Sequence, residues 1–461
     1  MNPNIFREYD IRGIVEKDFP EDVVFNIGKS YGSILIQNNQ KNISISGDIR
    51  HSTNRLKNNL IEGLLSTGIN VYDMGILPTP LNYFSLYHTD IKNSIQVTGS
   101  HNPKEYNGFK ISFNKKPFFG KDIKKIESII KNNSYSVKEN KGSYYKIDVV
   151  DDYIKMIKSQ IKIDKEISCV MDCGNSVGGL VASYLFKELG INVNEIYCDI
   201  NPDFPNHHPD PTVDSNLSDI ISEMKLSNYD LGIAFDGDAD RIVPVDEKGA
   251  IIRPDILLAL FVSDVINDGD SVVYDVKCSK SLEDVVKRYK GRPVMYKTGH
   301  SLIKNKMIES NSKLGGEMSG HIFFSDKYFG YDDAIYVSLR LTEILINTQT
   351  KLSELVDLIP SYSSTPEIRL ECNNDKDKFN IVEKINNYFT NNYECSIIDG
   401  VKIFFDNGWA LIRSSNTQPV IVLRFEANNL DNLNKYKLII YEKLKEFSDY
   451  EFKFWIKNEN L

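Results

Sequence analysis

The chain has 461 residues, 41% hydrophobic and 26% charged, with a formal net charge of −9 at pH 7. That length exceeds one ordinary hydrophobic core and by itself implies about three domains. An acidic surface repels nucleic acid and anionic membranes, so neither is an expected partner; a small anionic substrate stays possible if its site supplies local positive charge. No run approaches the roughly 18 apolar residues that span a bilayer. The start, MNPNIFREYDIRG, lacks a basic-then-apolar leader, so a cytoplasmic protein is expected. Cys169, Cys173, Cys198, Cys278, Cys372 and Cys395 show no C-x-x-C spacing and are expected to be reduced.

Along the chain, a strand signal ends at Gly47, RLKNNLIEGLLSTG (55–68) reads as an amphipathic helix, and INVYDMG (69–75) as a second strand. This β-α-β rhythm favours a largely parallel sheet covered by helices. It returns in SCVMDCG (168–174), GGLVASYLFKELG (178–190) and INVNEIY (191–197), and again in DSVVYDV (270–276), SKSLEDVVKRYK (279–290) and GRPVMYKTG (291–299). The tetrapeptide G-I-N-V recurs at 68–71 and 190–193, each time after an apolar helix. Three similar α/β units in tandem are therefore expected. The tail changes character: EIRLEC, the helical KFNIVEKINNYFT, then SIIDGVKIFF, WALIRSS and PVIVLRFEA as closely spaced strands, and a final helix LDNLNKYKLIIYEKLKEF. Short connections between strands point to an antiparallel sheet in an α+β domain. The expected division is 1–150, 151–252, 253–362 and 363–461, the first three α/β and the last α+β.

Four short stretches carry chemistry. In TGSHNPKEYNGFK (98–110), a strand signal runs into a turn that exposes Ser100 beside His101, with Lys110 downstream. No G-x-S-x-G or Ser-x-x-Lys context activates this serine. Its neighbours suit positioning and neutralising a phosphoryl group, and a purely local turn is the plain alternative. In FDGDADRIVPVDE (235–247), Asp236, Asp238 and Asp240 alternate at the end of a strand, so an extended loop turns all three to one side. Three oxygen donors without Cys or His call for a hard cation such as Mg²⁺. Asp236, Asp238, Asp240 and Glu247 also mimic positions 1, 3, 5 and 12 of an EF-hand, but Arg241 stands where that loop needs Gly. GGEMSGH (315–321) sets Glu317, Ser319 and His321 between glycine turns, suited to sugar hydroxyls or to a structural turn. RSSNTQP (413–419) offers Arg413, Ser415, Asn416 and Thr417 between two strands, a phosphate cradle by composition or a plain hairpin. There is no G-x-x-x-x-G-K-[ST] loop for nucleotide phosphates. His207 and His208 suit a surface or inter-domain contact, and His51 and His88 have no evident partners.

Together FREYDIRG, TGSHNPKEYNGFK, DGDADR, GEMSGH and RSSNTQP stand in an order that resembles the α-D-phosphohexomutase superfamily, most closely its bifunctional phosphomannomutase/phosphoglucomutase members. PTPLNYF, DVKCS, KTGHSLIK and FGYDDAIY add to the likeness, which spans nearly the whole chain. The resemblance implies four domains in a heart shape around a central cleft, with Ser100 as a phosphoserine and Asp236, Asp238 and Asp240 holding one Mg²⁺ with a serine phosphate oxygen. It implies that a hexose 1-phosphate and its 6-phosphate interconvert through an enzyme-bound 1,6-bisphosphate, with glucose 1,6-bisphosphate as activator. Glu317 and Ser319 would read the sugar 3- and 4-hydroxyls, alike in glucose and mannose, while Arg413, Ser415, Asn416 and Thr417 bind the phosphate that is not reacting. Arg12, Lys110 and His321 are the proton-handling candidates, with Tyr9, Arg241, Lys277 and His300 in support; a guanidinium is a poor base. Met318 favours the mannose/glucose group over phosphoglucosamine mutases, the nearest alternative, which usually carry Gln there. Gly99, where the family commonly has Ala, should leave the turn intact. The expected partners are small hexose phosphates, in a monomer or homodimer.

Overall fold

The structure is a computed structural model that describes residues 1–415 and 419–448. Its first sheet contains β1 (Ile11–Ile14), β2 (Asn42–Gly47), β3 (Asn70–Ile76), β4 (Ser94–Val97), β5 (Tyr106–Phe113), β6 (Lys116–Pro117) and β7 (Tyr144–Lys146), in the order β1-β5-β4-β2-β3-β7 with β6 on β5. Strands β4, β2, β3 and β7 are parallel, whereas β5 runs antiparallel to β4 and β1. The second sheet, β8 (Ser168–Asp172), β9 (Asn192–Ile196), β10 (Leu231–Phe235) and β11 (Ile242–Val245), has the order β11-β10-β8-β9. The third, β12 (Ser271–Asp275), β13 (Arg292–Tyr296), β14 (Leu314–Gly316) and β15 (Ile322–Phe324), has the order β13-β12-β14-β15.

The same plan recurs three times. Three parallel strands are joined through helices, and the last of them turns back into an antiparallel partner: β4 into β5, β10 into β11, β14 into β15. A tight return can only be antiparallel, because a parallel partner needs a long crossover. Those three returns hold TGSHNP, DGDADR and EMSGH. The fold therefore puts the three chemical loops at equivalent places in its three units.

The fourth sheet is wholly antiparallel, β16 (Ser363–Ser364), β17 (Ile368–Glu371), β18 (Cys395–Ser396), β19 (Val401–Phe405), β20 (Gly408–Ser414) and β21 (Val420–Ala427), packed with helices Asp375–Asn392 and Leu430–Phe447. Two local expectations need correction. The run 396–405 is not one strand: it breaks at Gly400, φ +74°, where a Cβ would lie 2.2 Å from the Ile412 carbonyl oxygen. The helix expected over 178–190 begins as a 3₁₀ turn, Val177–Leu180, and is α-helical only over Ala182–Glu188.

The first three units share one apolar core. It runs from Leu81 and Phe84 through Met171, Phe186 and Phe235 to Leu258, Phe324 and Leu339, while the outer face of the first sheet has a separate core between its helices. The last unit has its own core and meets the third through a small cluster of Val276, Trp409 and Leu411. At that seam Lys402 Nζ donates to the Val276 carbonyl at 2.9 Å and lies 3.8 Å from the Trp409 ring centre. Burial pushes its ammonium down to about 8. An unfolded chain keeps that proton to a higher pH, so the burial cost is fully present below pH 8 and is relieved as pH rises toward the ordinary lysine value. Thermal melts of wild type and Lys402→Met from pH 7.5 to 10 should show wild type gaining on the variant. A constant gap would mean that Lys402 does not titrate there.

Candidate active site

The β4–β5 loop is held from beneath. Arg50, just after β2, is buried and donates to the carbonyls of Ser100 (2.8 Å), Asn102 (2.5 Å), Pro103 (2.6 Å) and Tyr106 (3.0 Å). Asp48 pairs with Arg50 at 3.1 Å and accepts from Thr98 Oγ1 and the Gly99 N–H. A guanidinium fork can bind several carbonyls in fixed directions, which an ammonium cannot do. The clamp keeps Ser100 in the left-handed region, φ +50°, an unfavourable conformation for a residue with a Cβ. Gly99 bears on this clamp: a Cβ there would lie 2.4 Å from Arg50 Nε. Gly99 thus leaves the turn intact, as expected, and gives the Arg50 guanidinium room beneath it.

Ser100 Oγ donates to Asp236 Oδ2 at 3.0 Å and lies 3.1 Å from His101 Nδ1. Asp236, Asp238 and Asp240 are fully buried, and one oxygen from each falls within 4.8 Å of the others. Lys110, from β5, reaches across to Asp238 Oδ2 at 2.6 Å and to Asp240 Oδ2. Burial, then repulsion from Asp238 and Asp240, pushes the Asp236 carboxyl well up. Burial works the same way on Asp238, but the Lys110 ammonium outweighs it and holds that carboxyl below its usual range. Asp238 Oδ1 and Asp240 Oδ1 are buried with no hydrogen-bond partner among the described residues. Two unpartnered buried carboxylate oxygens in an all-oxygen cluster fit a divalent cation. Gly237 allows the two loops to meet, since a Cβ there would lie 2.4 Å from the Ser100 carbonyl oxygen. Glu247 is not part of this group: it accepts from Ser353 Oγ and N–H, so the EF-hand alternative fails on geometry.

His321 closes one side. Arg241 Nε donates to His321 Nε2 at 2.9 Å. A guanidinium has no acceptor, so the imidazole proton must sit on Nδ1, which lies 2.9 Å from Asp332 Oδ2. Asp332 also lies 3.4 Å from His300 Nδ1 and accepts from Lys304 at 2.8 Å, and the two imidazoles stack at 5.2 Å. Burial, then the charges of Arg241, Arg12 and Lys110, pushes His101 well below an ordinary histidine. Arg12 donates to Asn102 Oδ1 at 2.6 Å and pairs with Asp10.

A second group faces this one. The buried Glu317 carboxylate accepts from the Gly299 N–H, and burial raises its pKa. Half-buried Ser319 lies in the same turn. Tyr9 OH donates to the Thr298 carbonyl at 2.6 Å. Lys277 Nζ stands 3.4 Å from Glu367 and 3.8 Å from Asp275, and Arg413 Nε donates to Asp399 at 3.0 Å. The Ser415 carbonyl accepts from Lys378 Nζ at 2.7 Å, while Asn416 and Thr417 lie outside the described residues.

Sequence reasoning missed Asp48, Arg50, Thr79, Lys304 and Asp332. Thr79 donates through both Oγ1 and N–H to Asp238. Strand-end GDIR after β2 was the available signal for the first two, and the others lie within PTPLNYF, KTGHSLIK and FGYDDAIY, read only as whole stretches. The histidines set aside do have partners: His88 and His51 lie 2.9 and 3.5 Å from Asp152 and Asp203, and His207 lies 2.9 Å from Asp172. Replacing Asp332 by Asn would leave the Lys304 ammonium buried without its counter-charge, at a cost of about 3 kcal/mol. Chemical denaturation should show that loss, and Lys304→Met in the same chain should recover most of it. If the single and double variants were equally unstable, Asp332 would not be acting through Lys304.

Comparison with known proteins agrees with this geometry. Residues 3–136, 151–249 and 253–362 match the phosphoglucomutase/phosphomannomutase alpha/beta/alpha domains I, II and III, and residues 367–443 match the C-terminal domain of the same family. The phosphomannomutase/phosphoglucomutase of Pseudomonas aeruginosa is 41% identical over 445 residues, 96% of each chain. A phosphoglucomutase of Neisseria gonorrhoeae is 37% identical, covering 95% of this chain and 96% of its own. The crystal structure of a family protein from Burkholderia thailandensis superposes with a TM-score of 0.90 at 38% identity, covering 97% of this chain and 98% of its own. A serine held against an acidic triad, on a threefold-repeated α/β plan with an α+β unit behind it, thus places the chain in the phosphoglucomutase/phosphomannomutase family, the α-D-phosphohexomutases.

Proposed function

We propose that the chain interconverts the 1- and 6-phosphates of glucose and mannose through a phosphorylated Ser100. The observation that carries this reading is the Ser100 hydroxyl, 3.0 Å from Asp236, within a buried carboxylate cluster that fits a dication. Asp236, Asp238 and Asp240 would hold that cation, Mg²⁺ in this reading, which when bound supplies charge neutralisation for the moving phosphoryl group.

In the forward step the sugar hydroxyl oxygen bonds to the serine phosphate phosphorus and gives up its proton, the P–Oγ bond breaks, and Ser100 Oγ takes up a proton in its place. His101 Nδ1, neutral and 3.1 Å from that oxygen, is placed to exchange it. Lys110 stays charged between its two aspartates and steadies the cluster rather than moving protons. Arg12 keeps a buried Nε–H with no acceptor among the described residues, a donor for a phosphate oxygen. Arg241 occupies His321 Nε2, so His321 acts as base only after that contact opens.

The bisphosphate so formed turns over in the site, and its other phosphate returns to Ser100. Glu317 and Ser319 would bind the 3- and 4-hydroxyls, which glucose and mannose share, so a site indifferent to carbon 2 serves both. Arg413 and Ser415, with Asn416 and Thr417, would hold the idle phosphate, assisted by Lys277, Tyr9 and His300. A hexose 1,6-bisphosphate would charge a serine that has lost its phosphate.

Turnover of mannose 1-phosphate and glucose 1-phosphate, with Mg²⁺ and trace glucose 1,6-bisphosphate, tests this reading. Ser100→Ala is expected to lose at least 10³-fold in kcat. Conversion of glucosamine phosphate alone would move the substrate to the amino sugars, and no turnover of any hexose phosphate would end the reading. Chelation with EDTA should abolish activity, with Mg²⁺ restoring it and Ca²⁺ restoring much less; full recovery with Ca²⁺ would argue for a larger, looser cation site.

A further inference from the structure

We propose that a cavity between the first and third units binds a small molecule carrying a flat ring and one anionic group, and that its occupation slows the enzyme from behind the active site. The cavity measures about 310 Å³, enough for a compact organic molecule. Its walls are aromatic: Tyr87 stacks on Phe329 at 4.6 Å across the seam, and Tyr83 lies 5.5 Å from Tyr331. Its lining contains two lysines, Lys115 and Lys304, and no carboxylate, in a chain whose net charge is −9. Lys304 is already paired with Asp332, but Lys115 has only the Tyr87 ring beside it, 5.1 Å from its centre, and no carboxylate partner among the described residues. Aromatic walls and a cation without a counter-ion select a ring that carries an anionic group.

The link to catalysis is built from two equivalent helices. Thr79–His88 follows β3, and His300–Ser310 follows β13, the corresponding strand of the third unit. Each begins in the site, Thr79 on Asp238 and His300 beside Asp332. One turn later each reaches the cavity, through Tyr83 and Lys304, which touch with Nζ 4.2 Å from the ring centre. A ligand lodged there presses on Tyr83 and competes with Asp332 for the Lys304 ammonium, so it disturbs the acidic triad and the histidine pair together.

Naphthalene-1-sulfonate is a suitable probe, with 1-naphthol as its neutral counterpart, in calorimetric titrations of the full chain. The sulfonate should bind once per chain and at least fivefold tighter than the naphthol. Lys115→Ala should weaken the sulfonate at least fivefold, and Ile308→Trp, which fills the mouth from a half-exposed position, should abolish binding. Neither variant should change turnover without the probe. In wild type, saturating probe should lower kcat at least threefold with KM for the sugar phosphate unchanged, and both variants should be relieved of it. Absence of saturable binding, binding indifferent to both variants, or inhibition competitive with sugar phosphate would each overturn the proposal.

Discussion

Three buried carboxylates within 4.8 Å of one another are the constraint on which the rest of the structure turns. At about 4 Å and an effective dielectric near 20, each charged pair repels by about 4 kcal/mol. Lys110 stands between two of them and the Arg241 guanidinium reaches Asp236 only at 4.0 Å, so negative charge remains when all three are ionised. A metal ion held there would close that residue of charge and meet the two carboxylate oxygens that lack a donor among the described residues. Lys110 and Thr79 both come from the first unit and the aspartates from the second. The same contacts that hold the cluster therefore fix the two units against each other and bring Ser100 to Asp236.

The threefold repeat makes this arrangement economical. Each unit contributes the loop by which its last parallel strand turns back, so Ser100, the aspartate triad and the Glu317 turn arise from equivalent points of one plan. The loops differ in what they carry because their backbones need only leave one strand and enter another. Bracing comes from beneath: Arg50 under the serine loop and Asp332 behind the histidines hold conformations that the turns would not keep alone.

Much of this was legible in the chain. Alternation of strand and helix signals gave the α/β class, the final helix was read over 430–447 as it stands, and each chemical loop was visible because its residues are contiguous. The bracing residues were not. Arg50 lies 50 positions from Ser100, and Lys304 lies 28 from Asp332; hydrogen bonds at such separations leave no periodic trace. The break at Gly400 was hidden because SIIDGVKIFF is apolar on both sides of the turn, and the partners of His51 and His88 are acidic residues remote in the chain.

The distribution of apolar cores has a consequence for how the enzyme comes apart. Units that share a continuous core lose it together, so the first three form a single cooperative block holding Ser100, the aspartates and the Glu317 turn. The fourth has its own core and a thin apolar seam with that block, braced by Lys402 on the Val276 carbonyl and Arg424 on the Lys277 carbonyl, so its unfolding leaves the block's interior covered. Arg413 belongs to the fourth unit and Ser100 to the block. The two sides of the site therefore sit on parts with separate cores, and heating can part Arg413 from Ser100 before the acidic cluster is lost.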